Sequence, residues 1–140
     1  MIVDTSVLLA AFIRGQRMHE RCKQLLLSRQ QLVISPLVLA EVDYLAAQLA
    51  GADAELAVLS ELASGAYELA SFDRIDLVRA RAVVERYRDL RLGLTDASLV
   101  VLAHRYETDG IATLDERHFR VVRSLAGRPF EVLPADRQGN

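Results

Sequence analysis

Apolar residues recur along this chain with two different periods. Short runs read as strands: Ile2-Val3, Leu32-Val33-Ile34, Tyr67-Glu68-Leu69-Ala70, Ile111-Ala112-Thr113, and Phe130 to Leu133. Between them, apolar positions return every three or four residues, the spacing of one helix face. These helical stretches are Val7 to Ile13, His19 to Leu27, Ser35-Pro36 to about Gly51, Asp53 to Leu62, Asp73 to Arg88, and Thr95 to Gly110, the last carrying Leu99, Val100 and Ala103. Their ends follow local rules. Asp4-Thr5-Ser6 and Ser35 can accept from free backbone N–H groups, Pro36 sits where no helical donor is required, and Thr95 is the expected cap of the last helix. Arg14 to Arg17 reads as a loop, Ser64-Gly65 as a break, and Val121-Val122 as a further strand or turn.

Short strands separated by longer helices predict an α/β domain with three layers, α/β/α, around a short, mostly parallel sheet. No repeat or linker divides the chain, so residues 1–134 are expected to form a single domain and residues 135–140 a polar tail that frays. A hydrophobic content of 51% and a mean hydropathy of +0.16 support a packed core. No apolar run approaches the ~20 residues of a membrane span, and Met1-Ile2-Val3-Asp4 does not open a secretory leader. A lone cysteine, Cys22, excludes an intrachain disulfide and a thiolate zinc site, and fits a reducing cytoplasm.

Seventeen basic and nineteen acidic residues give a net charge of -2, which by itself does not mark a nucleic-acid binder. The basic residues are nevertheless all Arg except Lys23, and the guanidinium suits bidentate contact with phosphate. Four acids stand out because each follows or interrupts apolar sequence. Asp4 closes the first strand, Asp115 follows Ile111-Ala112-Thr113-Leu114, and Asp96 falls in the first turn of a helix. Glu41 shares a helix face with Leu37, Val38, Tyr44 and Leu45, where an unpartnered carboxylate would cost several kcal/mol.

Singly, each acid has an ordinary explanation as a helix cap, a dipole partner, a turn residue or a rim glutamate. Together they fall on one edge of the expected sheet, at strand ends and in early helical turns. Four crowded carboxylates would repel one another, and divalent cations cancel that charge. An oxygen-only set favours Mg²⁺ or Mn²⁺, one or two ions per site, and such a site suits phosphodiester hydrolysis without a protein nucleophile. His19, His104 and His118 are too scattered for a triad or a metal cluster and are assigned structural or surface roles.

These residues also form four short motifs in a recognisable order: Val3-Asp4-Thr5-Ser6, Ser35-Pro36 with Ala40-Glu41-Val42, Leu94-Thr95-Asp96-Ala97-Ser98, and Ala112-Thr113-Leu114-Asp115 with His118-Phe119. In them the chain resembles the PIN-domain ribonucleases, and more closely the VapC-type toxins of bacterial toxin–antitoxin systems. The resemblance implies that Asp4, Glu41, Asp96 and Asp115 are the catalytic, metal-binding acids. It makes Thr5, Ser6 and Thr113 candidate hydroxyl ligands or orienters, against their more ordinary use in backbone capping, and guanidinium chemistry makes Arg14, Arg17, Arg117 and Arg120 candidate RNA phosphate contacts. It further implies a metal-dependent endoribonuclease that inhibits translation and growth, a homodimer, and a VapB-like antitoxin partner through which alone the chain would meet DNA. A Leu-rich pair of helices, with Leu45, Leu49, Leu56, Leu59 and Leu62, is set between core packing and an intermolecular face.

Other readings are a housekeeping RNA-processing or DNA-directed nuclease of the same fold, and a catalytically idle module that binds metal or a partner. A haloacid-dehalogenase-type phosphohydrolase would need a second Asp where Ser6 stands, and a phosphoacceptor signalling domain would need a late Lys, whereas Lys23 comes early.

Overall fold

The computed structural model describes residues 1–28 and 30–137. Five short strands, β1 (Ile2–Val3), β2 (Val33–Ile34), β3 (Glu68–Leu69), β4 (Gly110–Ala112) and β5 (Glu131–Leu133), make one parallel sheet in the order β3-β2-β1-β4-β5. Ile2 pairs with Val33 on one side and Ile111 on the other. Successive residues of a strand point to opposite faces, and Ile2, Val3, Val33, Ile34, Ile111 and Ala112 are all fully buried, so helices cover the sheet on both sides. The expected three-layer α/β/α arrangement follows from that.

The helices are α1 (Thr5–Phe12), α2 (His19–Leu27), α3 (Pro36–Ala50), α4 (Ala52–Leu62), α5 (Arg74–Arg86), α6 (Leu94–Arg105) and α7 (Glu116–Phe119), with a 3-10 turn at Arg88–Leu90. From β1 the chain winds outward through β2 to β3, then returns to the other side of β1 for β4 and β5. The direction of winding therefore reverses between β1 and β4, and the crevice beyond the carboxyl ends of strands at such a reversal is where open α/β sheets bind their ligands. Asp4 and Asp115 follow these two strands.

Several boundaries differ from expectation. Gly93, not Thr95, occupies the cap position of α6, because the helical hydrogen bonding already starts with the Ala97 amide on the Gly93 carbonyl at 3.0 Å. Of the strand or turn expected at Val121-Val122 the structure has the turn, at Val121 after α7, and Arg123 pairs with Pro129 in an isolated antiparallel bridge. Of the expected polar tail, residues 138–140 lie outside the described residues. Asp136 is drawn back: it accepts the Val132 amide at 2.7 Å and pairs with Arg120. Among the described residues no helix is long and apolar enough to cross a membrane.

A second ion pair holds α5 to α6. Asp73 and Asp76 form a reciprocal capping box at the start of α5, and buried Asp76 also receives Arg105 from the end of α6. Arg105 reaches the Ser71 carbonyl as well, at 2.7 Å. Burial pushes the Asp76 carboxyl up, but the hydrogen bonds from Arg105 and the Asp73 backbone outweigh it and hold the group below the usual carboxylate range. The stability it contributes is thus present above the unfolded-state value and is lost as pH falls through the lowered folded-state value. Arg105→Ala is expected to cost about 2–3 kcal/mol near neutral pH, somewhat less than for a fully buried pair. Urea unfolding should show that deficit shrinking as pH falls below about 4 and vanishing only below the lowered folded-state value, where Asp76 is neutral in both proteins.

Candidate metal centre

Asp4 serves two structural purposes at once. Its Oδ1 accepts the Thr5 amide at 2.8 Å, which caps α1, and its Oδ2 accepts the hydroxyls of Ser6 and Thr113, each at 2.8 Å. Those hydroxyl oxygens in turn accept the amides of Leu114 and Asp115, both at 3.0 Å. The ends of β1 and β4 are thereby laced through one carboxylate. Each carboxylate oxygen has two lone pairs, so Oδ2 is fully used while one lone pair of Oδ1 remains. Ser6 and Thr113 therefore orient Asp4, and Thr5 Oγ1 is buried with no hydrogen-bond partner among the described residues.

Asp96 and Glu41 come from helices whose starts are tied together. Ser98 donates to the Thr95 carbonyl at 2.6 Å, leaving its oxygen to accept from Ser35 at 2.8 Å, while Ser35 accepts the Leu37 amide. This buried hydroxyl chain fixes the first turns of α3 and α6 against each other. Pro36 and Ser35 start α3 as expected, and Glu41 follows in its second turn. Asp115 caps α7 by accepting the His118 amide on Oδ1 at 3.1 Å, which leaves Oδ2 free.

All four acids line one open cleft of about 450 Å³, together with Thr5, Ser6, Leu9, Leu45, Gly93, Leu94 and Thr95. Their fields reach one another. Burial pushes the Asp96 carboxyl up to about 6, and the charges of Asp4, Asp115 and Glu41 add to this while His118 opposes it. Asp4 is only 6% exposed, and burial raises its carboxyl too, against the lowering effect of its three hydrogen bonds. Among the described residues no arginine or lysine forms an ion pair with any of the four. Asp43, two positions from Glu41, stands instead beside Glu55 of α4.

One member of the cluster departs from the sequence reading. His118, assigned there a structural or surface role, lies inside the acidic group, with Nδ1 2.7 Å from Asp115 Oδ2 and 3.9 Å from Asp96 Oδ2. The cause is local: α7 is a single short turn of helix, and a residue three positions after Asp115 returns to the same face. That spacing was the available signal. For Ser35 and Ser98 there was none beyond the motifs that contain them, because 63 positions separate the partners.

The candidate RNA contacts divide. Arg120 is already held by Glu116 at 3.0 Å and Asp136 at 2.7 Å, so its guanidinium closes the chain's end onto α7. Arg14 and Arg117 are exposed, and Arg17 lines a separate cleft of about 290 Å³ beside Thr113 and Glu116. None of these three forms an ion pair among the described residues. Of the five leucines on α3 and α4, Leu62 packs into the core while Leu49 and Leu56 stand exposed.

The donor set suits a hard divalent cation: carboxylate oxygens with lone pairs to spare, clustered without a guanidinium or ammonium to balance them, and beside them the buried, unpartnered Nδ1 of His118.

Comparison with known proteins agrees with this geometry. Residues 1–124 match the PIN domain family. Ribonuclease VapC26 of Mycobacterium tuberculosis is 48% identical over 135 residues, covering 96% of this chain and 100% of that protein. Two solved structures share the fold at low identity. The Sarcin-Ricin loop cleaving toxin VapC20 of Mycobacterium tuberculosis has a TM-score of 0.73 at 21% identity, over 79% of this chain and 85% of its own. VapBC2 from Rickettsia felis, bound to a DNA fragment from its promoter, has a TM-score of 0.68 at 16% identity, over 94% of this chain and 96% of the other.

Proposed function

Because the chain belongs to the PIN-domain family, we propose that it is a divalent-metal-dependent endoribonuclease toxin of the VapC type. The observation that carries the reading is the convergence of Asp4, Glu41, Asp96 and Asp115 on one cleft without a balancing basic side chain. Its near relative over the whole length is a ribonuclease by name. Mg²⁺ or Mn²⁺, one or two ions, would be held by the free carboxylate oxygens. Such ions supply charge neutralisation at phosphate and acidify water for attack at phosphorus.

The chain's own residues set the conditions for that chemistry. Ser6 and Thr113 hold Asp4 in one orientation, and the Ser35–Ser98 link fixes the helices that bring in Glu41 and Asp96. The openness of the cleft admits an RNA backbone, with Arg14, Arg17 and Arg117 the proposed grips on flanking phosphates. A neutralising antitoxin of the VapB type fits two features: the acidic cleft would accept one of its basic side chains, and a separate apolar cleft of about 410 Å³ would seat its apolar residues. Phe12, Leu26, Leu27, Val58 and Tyr67 line the latter. Exposed Tyr44, Leu49 and Leu56 offer a face for a homodimer.

Purified chain incubated with structured RNA should cut it at a few positions when Mg²⁺ or Mn²⁺ is present. EDTA should abolish cleavage, and excess metal should restore it. Cutting that survives EDTA would remove the metal dependence, whereas none under any metal would remove the nuclease reading and leave the idle binding module.

A further inference from the structure

We propose that His118 is itself a metal ligand, its Nδ1 joining Asp96 and Asp115, so that the centre has a mixed nitrogen and oxygen donor set and prefers Mn²⁺ to Mg²⁺. This rests on the metal-centre reading above. It goes beyond that reading by adding a nitrogen to a site otherwise built from carboxylates, and by narrowing the choice of ion.

The tautomer follows from the neighbours. His118 Nε2 stands 3.0 Å from the carbonyl oxygen of Leu90, in the 3-10 turn that follows α5. A carbonyl only accepts, so Nε2 carries the hydrogen, and in the neutral ring Nδ1 presents its lone pair. That atom is buried and has no hydrogen-bond partner. Its 2.7 Å approach to Asp115 Oδ2 lies too far off the ring's N–H direction to be a hydrogen bond. A lone pair held that close to a carboxylate oxygen is repulsive unless a positive charge, a proton on the ring or a metal ion, offsets it.

The spacing suits such a cation. One ligand atom each from Asp96, Asp115 and His118 lies within 4.8 Å of the other two. Adjacent ligands of an octahedral ion with bonds of 2.0–2.1 Å stand roughly 3 Å apart, and the His118 distances of 2.7 and 3.9 Å fall on either side of that. Asp115 is prepared in the same way, since its Oδ1 is taken by the His118 amide and Oδ2 alone faces the ring. The Leu90 carbonyl orients the imidazole as outer partners of metal-bound histidines do. Imidazole raises affinity along the transition-metal series, whereas Mg²⁺ gains little from nitrogen.

Electron paramagnetic resonance of Mn²⁺ added to the tag-free full chain tests this directly. Spin-echo modulation should show a directly bonded ¹⁴N. His19 is engaged with the Ala10 carbonyl and His104 is exposed at the far end of α6, so that nitrogen would be His118's. His118→Asn should erase the ¹⁴N signal and weaken Mn²⁺ binding by about tenfold or more, with Mg²⁺ affinity changed less than about threefold. Bound Mn²⁺ lacking ¹⁴N coupling in the unaltered chain would overturn the ligation by His118 while leaving the carboxylate centre standing. Failure to bind Mn²⁺ at millimolar concentration would overturn both. The spectrum of the unaltered chain decides the matter even if the variant does not fold.

Discussion

Asp96→Asn should lower RNA cleavage by at least about a hundredfold, since loss of a direct ligand costs more than the 10–100-fold seen for outer partners. The chain should remain folded. Asn keeps the shape of the side chain and removes one negative charge from a cluster in which three other carboxylates oppose it. Asp96 accepts no hydrogen bond in α6 that the amide would break; the residue in the cap position is Gly93. A circular dichroism spectrum and melting curve should therefore show a protein at least as stable as the unaltered chain without metal. Cleavage and growth inhibition should both disappear. Unchanged cutting by this variant would mean that Asp96 is only a first-turn helix acid.

The second large effect is a pH dependence that metal reverses. With its carboxyl pushed up to about 6, Asp96 binds a proton more tightly in the folded chain than in the unfolded one. Between the two values the folded state holds the extra proton, so this group's contribution to stability falls as pH rises through about 6. Metal-free protein should therefore gain about 1–2 kcal/mol from Asp96 on going from pH 8 to pH 5. Asp96→Asn should lack that gain. Because a ligating carboxylate must be ionised, metal affinity should move oppositely, weakening toward about tenfold per pH unit below the Asp96 value. Isothermal titration of Mn²⁺ at several pH values, with urea unfolding alongside, would check both slopes. A pH-independent affinity would show that Asp96 is not a ligand.

Much of this architecture was readable because each strand is a continuous apolar run buried on both faces, and because Asp4, Ser35 and Pro36 mark helix starts by local chemistry. Where the reading failed, the deciding contact was distant or the element too short for periodicity. The turn Glu116-Arg117-His118-Phe119 has no repeating apolar pattern, so α7 was not visible, and only the three-residue spacing from Asp115 pointed to the position of His118. Arg120 looked available until the chain's end brought Asp136 beside it. Thr95 satisfied the rule for a cap, yet its carbonyl is occupied as an acceptor for Ser98 and the helix starts before it. The acids themselves were the most legible feature, since charge next to apolar sequence demands a reason even before its neighbours are known. Asp4 shows that the two explanations weighed for it are compatible: it caps α1 and faces the cleft.

In the proposed function, carboxylates from four separate elements hold a divalent ion in one cleft. Crystals soaked in MnCl₂ and measured for anomalous scattering test it most directly. Density is expected in the cleft, bonded to oxygens of Asp4, Glu41, Asp96 and Asp115 in some combination that includes Asp96. An anomalous map with no peak among these side chains, from crystals of protein that still cuts RNA, would rule out metal binding by these four acids.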